Sequence, residues 1–252
     1  MTHQRWFKVF FILFLVVLFL SSGFIIMQYK SNSMAKDLEE YRSYYFVITG
    51  DKTICKIDTV TNQIISKISV EGKPEDIQIS PDGKILVVVA SNSKDEDGTG
   101  FLLFYQIKDD KLLKKLEVGK HPSKISFTPD KKYALVANKE SNDISLIDFQ
   151  NYTVLQSIAV GRKPKNFCIS YDGRYCYVAN TGEDTLSVVD MRSFKSVKKI
   201  RVGRYPTDVT IDKANGNVMV TLSREKAVAL VNPNTENIEK VDLDDKPTKI
   251  YN

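Results

Sequence analysis

From residue 44 onward, short runs of alternating apolar and polar residues follow one another along the chain. Alternation with a period of two is typical of half-buried β-strands. The runs recur with one proline in each repeat, and the spacings are 48, 42, 42 and 41 residues at Pro74, Pro122, Pro164, Pro206 and Pro247. Repeats of this length indicate a solenoid or a propeller. The pattern therefore predicts one all-β repeat domain.

Each repeat begins with a predicted hairpin. In the first repeat the turn reads SPDGK at residues 80–84, where proline presets φ for a type I turn and Gly83 accepts the left-handed conformation of a bulge. Two more strands follow, for example at residues 185–190 and 196–202, with counterparts at 143–148 and 154–160 and at 226–231 and 238–243. Four-stranded antiparallel repeats are typical of propeller blades, which bury both faces only against neighbouring blades.

The two ends of the repeat region complement each other. The region opens at Tyr44 with the second strand of a blade, continues through residues 53–58 and 64–70, and ends with a lone first strand at 247–252. Pairing these segments would complete a blade and remove exposed sheet edges. The predicted blades are residues 74–121, 122–163, 164–205, 206–246, and a closing blade of 44–73 with 247–252. We therefore expect an all-β propeller of five four-stranded blades, with an open fragment or a dimeric ring as alternatives.

An uncharged apolar segment precedes the repeats at residues 9–27. As a helix it would extend about 28 Å, close to the roughly 30 Å hydrocarbon thickness of a bilayer. Arg5 and Lys8 precede it, and positive residues favour the cytoplasmic side of a membrane helix. The sequence predicts a single-pass signal-anchor helix, with residues 1–8 in the cytoplasm, residues 28–43 as a polar stalk and the propeller outside the cytoplasm.

A cleaved signal peptide is the alternative interpretation of this segment, with Ser31-Asn32-Ser33 as a cleavage site of the small-x-small type. We favour the retained anchor because the apolar run is longer than the roughly 7 to 15 residues usual for a signal peptide. Both interpretations export the domain, and the anchor predicts a location in the cell membrane.

The charge distribution argues against binding to nucleic acid. The chain has 36 Lys and Arg residues against 31 Asp and Glu residues, but Arg5, Lys8 and Lys30 flank the apolar segment. The remainder is nearly balanced, whereas a nucleic-acid-binding domain carries a marked basic excess. We therefore expect no nucleic acid among the partners of the domain.

Two motifs in the third repeat carry a resemblance to a known family. Residues 177–190 read YVANTGEDTLSVVD, and residues 202–206 read VGRYP. They resemble the blade motif and the inter-blade V-G-x-x-P of YVTN-family β-propeller repeat proteins, and residues 135–138 and 46–49 repeat the first motif more loosely. The resemblance implies an architecture shared by lactonase-like, surface-layer and binding proteins, often with seven blades.

The sequence contains little that could perform catalysis. Its two histidines are His3 and His121, and it has no G-x-S-x-G, H-E-x-x-H, phosphate-binding or G-x-G-x-x-G motif. We predict no catalytic residues, no metal site and no cofactor. An insertion at residues 93–100 contains a D-x-D-G pattern, but the remaining ligands of a calcium loop are missing and we interpret it as a mobile acidic loop.

Cys168 and Cys176 flank the turn at residues 171–173, and a three-residue loop would place them directly opposite each other. A disulfide is permitted outside the cytoplasm, but other repeats have no sulfur at these positions and we favour buried free thiols. Cys55 is predicted to be an unpaired apolar residue. The residues that follow or end the third strands are predicted to cap backbone amides, namely Asp58, Asp148, Asp190 and Asn232.

The loops between consecutive blades are the predicted binding site. Each carries at least one cation just before the proline, and the candidates are Lys73, Lys120, His121, Arg162, Lys163, Arg204, Tyr205 and Lys246. Converging cations at one face would attract an anionic ligand, which arginine can hold with two hydrogen bonds. The alternative is a solvated charged rim, partly neutralised by Glu75, Asp76, Asp208 and Asp245.

These observations favour a non-catalytic module that uses its loop-bearing face to bind a protein or an anionic small molecule near the membrane. An enzyme of lactonase or hydrolase type is the first alternative, and it depends on the resemblance alone because a fold does not determine chemistry. A structural subunit of a cell envelope is the second. An exposed apolar patch on the outer edges of the blades would favour the structural subunit.

Overall fold

The computed structural model describes residues 43–49, 52–92 and 98–251. Within these ranges the chain is all-β, with nineteen strands in five antiparallel sheets and no helix. The predicted cytoplasmic segment, the predicted transmembrane helix and the stalk up to residue 42 lie outside them, as do residues 93–97 of the insertion. The described ranges contain no helix long and apolar enough to cross a membrane.

The strands follow one another in chain order within every sheet. The N-terminal sheet contains β1 (Tyr44–Thr49), β2 (Thr53–Asp58) and β3 (Ile64–Ser69). Blade 1 contains β4 (Lys73–Ile79), β5 (Ile85–Ser91), β6 (Gly100–Gln106) and β7 (Leu112–Val118), and blade 2 contains β8 (Pro122–Phe127), β9 (Tyr133–Asn138), β10 (Asp143–Asp148) and β11 (Thr153–Ala159). Blade 3 contains β12 (Pro164–Ile169), β13 (Tyr175–Asn180), β14 (Thr185–Asp190) and β15 (Lys195–Arg201), and blade 4 contains β16 (Pro206–Ile211), β17 (Val218–Leu222), β18 (Ala227–Val231) and β19 (Ile238–Asp242). The prediction of four-stranded antiparallel sheets is thus confirmed for these four blades.

The described residues divide into two compact units. Residues 43–45 and 56–65 belong to the first, and residues 46–49, 52–55 and 66–251, with all four blades, belong to the second. In the first unit the Ser43 carbonyl accepts hydrogen bonds from the Thr59 amide at 3.2 Å and from Thr59 Oγ1 at 3.0 Å. Lys56 Nζ lies 4.4 Å from the centroid of the Tyr44 ring. The beginning of the described chain is therefore held beside the turn that follows β2.

The turn between the first and second strands has the predicted bulge geometry. Gly83 has a φ of 74°, and its amide donates to the Ser80 carbonyl at 2.8 Å. Ser80 Oγ donates to Asp82 Oδ1 at 2.6 Å. Lys131 and Gly173 occupy the same position in blades 2 and 3, with φ of 64° and 69°. The left-handed residue is thus retained in three blades although only two of them have glycine there.

The acidic residues at the ends of the third strands cap backbone amides, as predicted. Asp190 Oδ1 accepts hydrogen bonds from the amides of Arg192 at 2.8 Å and Ser193 at 2.9 Å. The amides of Ser193 and Arg192 hold the pKa of the Asp190 carboxyl below its usual value. The same arrangement occurs at Asp58, Asp148 and Asn232. These side chains therefore have a structural role in the turns.

The hydrophobic core lies between the blades. One cluster joins Phe104 of blade 1 to Ile125 of blade 2, and a second joins Leu146 of blade 2 to Val178 of blade 3. A third cluster joins blades 3 and 4. Because the middle strands are buried on both faces, with β5 buried throughout, one blade alone could not exclude water from its apolar residues.

The register of blade 3 corrects the predicted placement of two cysteines. Cys168 pairs with Tyr177, and Ile169 pairs with Cys176. The loop between β12 and β13 is longer than three residues, since the Ser170 amide bonds to the Tyr175 carbonyl, and this shifts the pairing by one residue. Successive side chains alternate between faces, so the two thiols contact different core clusters. All three cysteines are free thiols, as favoured above.

The first strands of neighbouring blades contact each other, and one aspartate in the first strand bonds to the next repeat. Asp76 Oδ2 accepts the Ile125 amide at 3.0 Å. Asp208 Oδ2 accepts the Ile250 amide at 2.9 Å, and Ile250 stands three residues after its proline just as Ile125 does. The C-terminal segment therefore makes on blade 4 the hydrogen bond that a following first strand makes on blade 1.

A fourth strand in the N-terminal sheet is not observed among the described residues. That sheet contains β1, β2 and β3 alone, and residues 243–251 form no strand. Of residues 247–251, Pro247 and Ile250 are half-buried and the other three are exposed. Little apolar burial is thus available to offset the conformational entropy that this segment would lose in a ladder.

Candidate functional site

Seven of the eight predicted site residues lie at the connections between consecutive sheets. Lys73 is the first residue of β4, and Lys246 follows β19; the others lie between β7 and β8, β11 and β12, or β15 and β16. His121 and Tyr205 are half-buried, and the other six are exposed. In an antiparallel blade these connections share one end with the loops between the second and third strands. We call this end of the blades the loop face.

The backbone of these loops has a left-handed conformation that side chains of the preceding blade hold in place. His121, Lys163 and Tyr205 each precede a proline and have φ of 47°, 54° and 60°. The Lys163 amide donates to Asn142 Oδ1 and the Tyr205 amide donates to Asp184 Oδ1, both at 2.9 Å. Such side-chain bonds to backbone amides offset the cost of left-handed φ at residues with a Cβ.

Two glutamates bind the loops to the outer strands of blades 3 and 4. Glu183 accepts the Arg162 amide at 2.8 Å and pairs with Lys199 at 3.1 Å. The Arg162 amide is the main cause that holds the pKa of Glu183 below its usual value, and Lys199 adds to it. Glu183 is therefore ionised at neutral pH. The equivalent residue of blade 4, Glu225, is held in the same way.

Glu225 accepts the Arg204 amide at 2.6 Å and pairs with Lys240 at 2.6 Å. Lys240 is the main cause that holds the pKa of Glu225 below its usual value, followed by the Arg204 amide. A general acid needs the opposite shift. These two carboxylates therefore suit charge pairing better than acid catalysis.

Part of the predicted cationic rim is neutralised within the protein. Lys73 Nζ lies 2.7 Å from Glu75, and Lys163 Nζ lies 3.6 Å from Glu140. The Arg224 guanidinium lies 4.5 Å from the centroid of the Tyr205 ring. The His121 ring packs against Gly98, where an added Cβ would overlap it. Lys73, Lys163, Tyr205 and His121 therefore have contacts within the protein. The structure brings no more than a few of the eight predicted site residues close together.

A cleft between blades 3 and 4 combines one predicted residue with a residue that the sequence reasoning missed. Its volume is about 530 Å³, and it is lined by Arg201, Arg204, Lys240, Asp184 and Glu225 among others. Glu225 already binds Lys240 and Asp184 already accepts an amide. Within the described residues neither arginine side chain has a carboxylate partner within 4 Å, and both are exposed. The cleft therefore presents two guanidinium groups to solvent.

Arg201 could have been found from the strand pattern. It is the last residue of β15, in which the buried Ile200 alternates with outward basic residues. Alternation thus places Arg201 on the outer surface, three residues before Arg204. The cleft itself could not be found this way, because its other wall comes from blade 4.

The first strands contain a second set of polar residues, of which the sequence reasoning named Asp76 and Asp208 alone, as neutralising groups. They stand two positions after each proline, at Asp76, Lys124, Asn166, Asp208 and Lys249. Lys124 Nζ lies 3.3 Å from Asp76 Oδ2, and Asn166 Nδ2 donates to Asp208 Oδ1. Each contact joins one blade to the next, so Asp76, Lys124, Asn166 and Asp208 connect the first strands of neighbouring blades.

In residues 43–49, 52–92 and 98–251 no three His, Cys, Asp or Glu residues lie close enough to hold a metal ion. Burial raises the pKa of the Asp143 carboxyl, which accepts a hydrogen bond from Asn138 at 2.6 Å. Burial also raises the pKa values of the Cys168 and Cys176 thiols, which makes them poor nucleophiles.

Four-stranded antiparallel blades that pack face to face through their middle strands, with first strands side by side, define a β-propeller repeat protein. The comparisons agree with this class. A family profile described as YNCE-like beta-propeller matches residues 108–216, and one described as Choice-of-anchor I domain matches residues 35–145. No curated protein shows significant sequence similarity to the chain.

Two solved structures share the fold at low sequence identity. Hydrazine synthase from Kuenenia stuttgartiensis is similar with a TM-score of 0.68 and 22% identity, over 82% of this chain and 64% of that chain. A protein of unknown function from Desulfotomaculum acetoxidans is similar with a TM-score of 0.61 and 16% identity, over 79% of this chain and 68% of that one. The chain thus spans slightly less than two thirds of the first protein, and the likeness concerns the fold alone.

Proposed function

We propose that this protein is a membrane-anchored extracytoplasmic β-propeller that binds an anionic ligand without catalysis, through the loop face of its blades. The observation that carries the proposal is the pair of exposed arginines, Arg201 and Arg204, in the cleft between blades 3 and 4. Arginine binds carboxylate and phosphate groups with paired hydrogen bonds. Within the cleft three cationic residues, Arg201, Arg204 and Lys240, stand against two carboxylates, Asp184 and Glu225, and Glu225 is paired with Lys240.

The membrane anchor and the family belong to the same proposal. The uncharged apolar segment at residues 9–27 supports the anchor, and the YVANTGEDTLSVVD motif in blade 3 supports membership of the YVTN family. The closure of a fifth blade by residues 247–252 is supported by the bond from the Ile250 amide to Asp208, which repeats the bond from Ile125 to Asp76. Propeller-fold proteins have diverse functions, so the site carries the functional argument.

The ligand proposal is tested with the double variant Arg201→Gln, Arg204→Gln. Hydrogen bonds to charged groups contribute about 1.5–3 kcal/mol, so losing either arginine should weaken binding by about tenfold or more. Calorimetric titration of the full chain in detergent with citrate and with inorganic phosphate measures the affinity. Binding to the parent should also weaken as ionic strength rises.

Arg192→Gln is the matched control, since Arg192 is an exposed arginine in the turn after β14, at the other end of blade 3. It should bind both probes like the parent. Equal affinity of the double variant and the control, or no binding of either anion by the parent, would contradict the proposed anion site.

A further inference from the structure

Exposed aliphatic residues recur at one position of the outermost strands. In blades 1, 2 and 3 the pairing of the third and fourth strands shifts near the start of the fourth strand, which leaves one residue unpaired. That residue is Leu113, Leu155 or Val197, and the exposed fractions are 43%, 51% and 56%. Ile65 stands 48 residues before Leu113 and is 45% exposed. In blade 4 the equivalent position holds a charged residue, Glu239.

These residues lie at the end of the blades opposite the loop face. The fourth strand starts at the turn that follows the third strand, and in an antiparallel blade that turn shares its end with the turn between the first two strands. We call this end the turn face. Ile79, at the end of β4, and Tyr171, in the turn after β12, add exposed apolar side chains there. The turn face of blades 1–3 is therefore apolar at several separate points.

In the first compact unit, the described chain begins at the end of the strands that is equivalent to the turn face of a blade. Ser43 bonds to Thr59 in the turn after β2, and the neighbouring Val60 is 80% exposed. Ile64 is 54% exposed at the start of β3. Ser43, the first described residue, thus lies at an end of this unit that also carries exposed aliphatic side chains.

We propose that the turn face rests on a lipid bilayer, with the bulged aliphatic residues inserted among the headgroups. Bulges interrupt the ladder of an edge strand, so strand addition by another protein is disfavoured there. Single aliphatic side chains, one on each of several blades, suit a continuous apolar phase better than a single pocket on a protein. This inference rests on the proposed membrane anchor and adds an orientation, in which the loop face points away from the membrane.

The orientation is tested by quenching of tryptophan fluorescence with bromine on lipid acyl chains. Trp6 is the one tryptophan of the sequence, so the full chain carries Trp6→Phe together with Leu155→Trp. The protein is reconstituted in vesicles of phosphatidylcholine and phosphatidylglycerol, with or without brominated acyl chains. We expect a loss of emission with brominated lipid and a shift of the emission to shorter wavelength.

Val241→Trp is the matched control, because Val241 lies on the outer strand of blade 4 near the loop face and is 49% exposed. Its emission should be insensitive to bromine. Val197→Trp repeats the test if Leu155→Trp fails to fold. Equal quenching of turn-face and loop-face variants, or quenching of neither in a chain that floats with the vesicles, would overturn the orientation and leave the anchor intact.

Two other results would point elsewhere. If the chain does not float with the vesicles, the proposed anchor fails and the docking fails with it. If the chain in detergent is a dimer that Leu155→Glu converts to a monomer, a second copy covers this surface and the lipid proposal is wrong.

Discussion

Single residues in this propeller are governed by the backbone conformation of their turns. Gly83, Lys131 and Gly173 share a left-handed φ at one position of three blades. A Cβ in this conformation costs about 1–2 kcal/mol, and glycine avoids that cost but loses more entropy on folding. The repeat therefore requires the conformation and leaves the residue type open.

Gly83→Ala should lower the free energy of unfolding by about 1 kcal/mol, because the left-handed φ stays while the Cβ is added. No heavy atom lies within 4 Å of that added Cβ, so the effect is purely conformational. Lys131→Ala is the matched control and should change stability little. Thermal unfolding followed by circular dichroism should show a loss of about 2–4 °C for the glycine variant alone. Equal midpoints for the two variants would contradict this explanation.

At the scale of elements, the loops between blades are held by carboxylates of the following loop. Glu183 and Glu225 each connect a loop amide to a lysine on an outer strand. Both pKa values are lowered from the usual 4.5. A carboxyl whose pKa is lower in the folded state contributes stability above its unfolded pKa, and this contribution is lost as pH falls through the folded value.

The double variant Glu183→Gln, Glu225→Gln should therefore lose less stability than the parent when pH falls below 4.5. Urea unfolding at a series of pH values measures this dependence. Glu239→Gln is the control, since Glu239 is exposed on β19, and its pH dependence should follow the parent. If the double variant has the same pH dependence of unfolding as the parent, Glu183 and Glu225 do not contribute to stability in this way.

At the scale of the whole molecule, hydrogen bonds to an aspartate of the first strand connect a repeat to the one that follows it. The bond from Ile250 to Asp208 has the same register as the bond from Ile125 to Asp76. Asp208 is buried, with 7% of its surface exposed. A buried carboxylate that loses a donor is costly, so the C-terminal segment should contribute to stability without forming a strand.

Ile250→Pro should lower the free energy of unfolding by about 1–3 kcal/mol, because proline removes the amide that Asp208 accepts. Lys249→Ala, an exposed neighbour, should have little effect. Urea unfolding of the two variants measures the difference. Unchanged stability of the proline variant would show that the segment is not held on blade 4, and would remove the support for a fifth blade.

Sequence reasoning located the strands because each strand is a local pattern. The predicted strands at residues 53–58, 143–148 and 185–190 have the observed bounds, and most of the others deviate by one residue at one or both ends. The strand predicted at 247–252 is not observed among the described residues. The register of Cys168 and Cys176 was missed because it depends on the length of a turn, and one residue more in the loop moves a side chain to the other face. The candidate site was found in part, since Arg204 precedes a repeat proline while Arg201 had no such marker.

The sequence by itself determined the blade, the number of internal repeats and the positions of the inter-blade loops, because alternation, turn residues and spacing act over a few residues. Only the tertiary structure decided which cations are neutralised and which remain in a cleft. Those outcomes depend on Glu140, Glu183 and Glu225, each of which reaches a loop about 21 residues or more away in the chain. Contacts between blades place such residues side by side, and no local pattern encodes them.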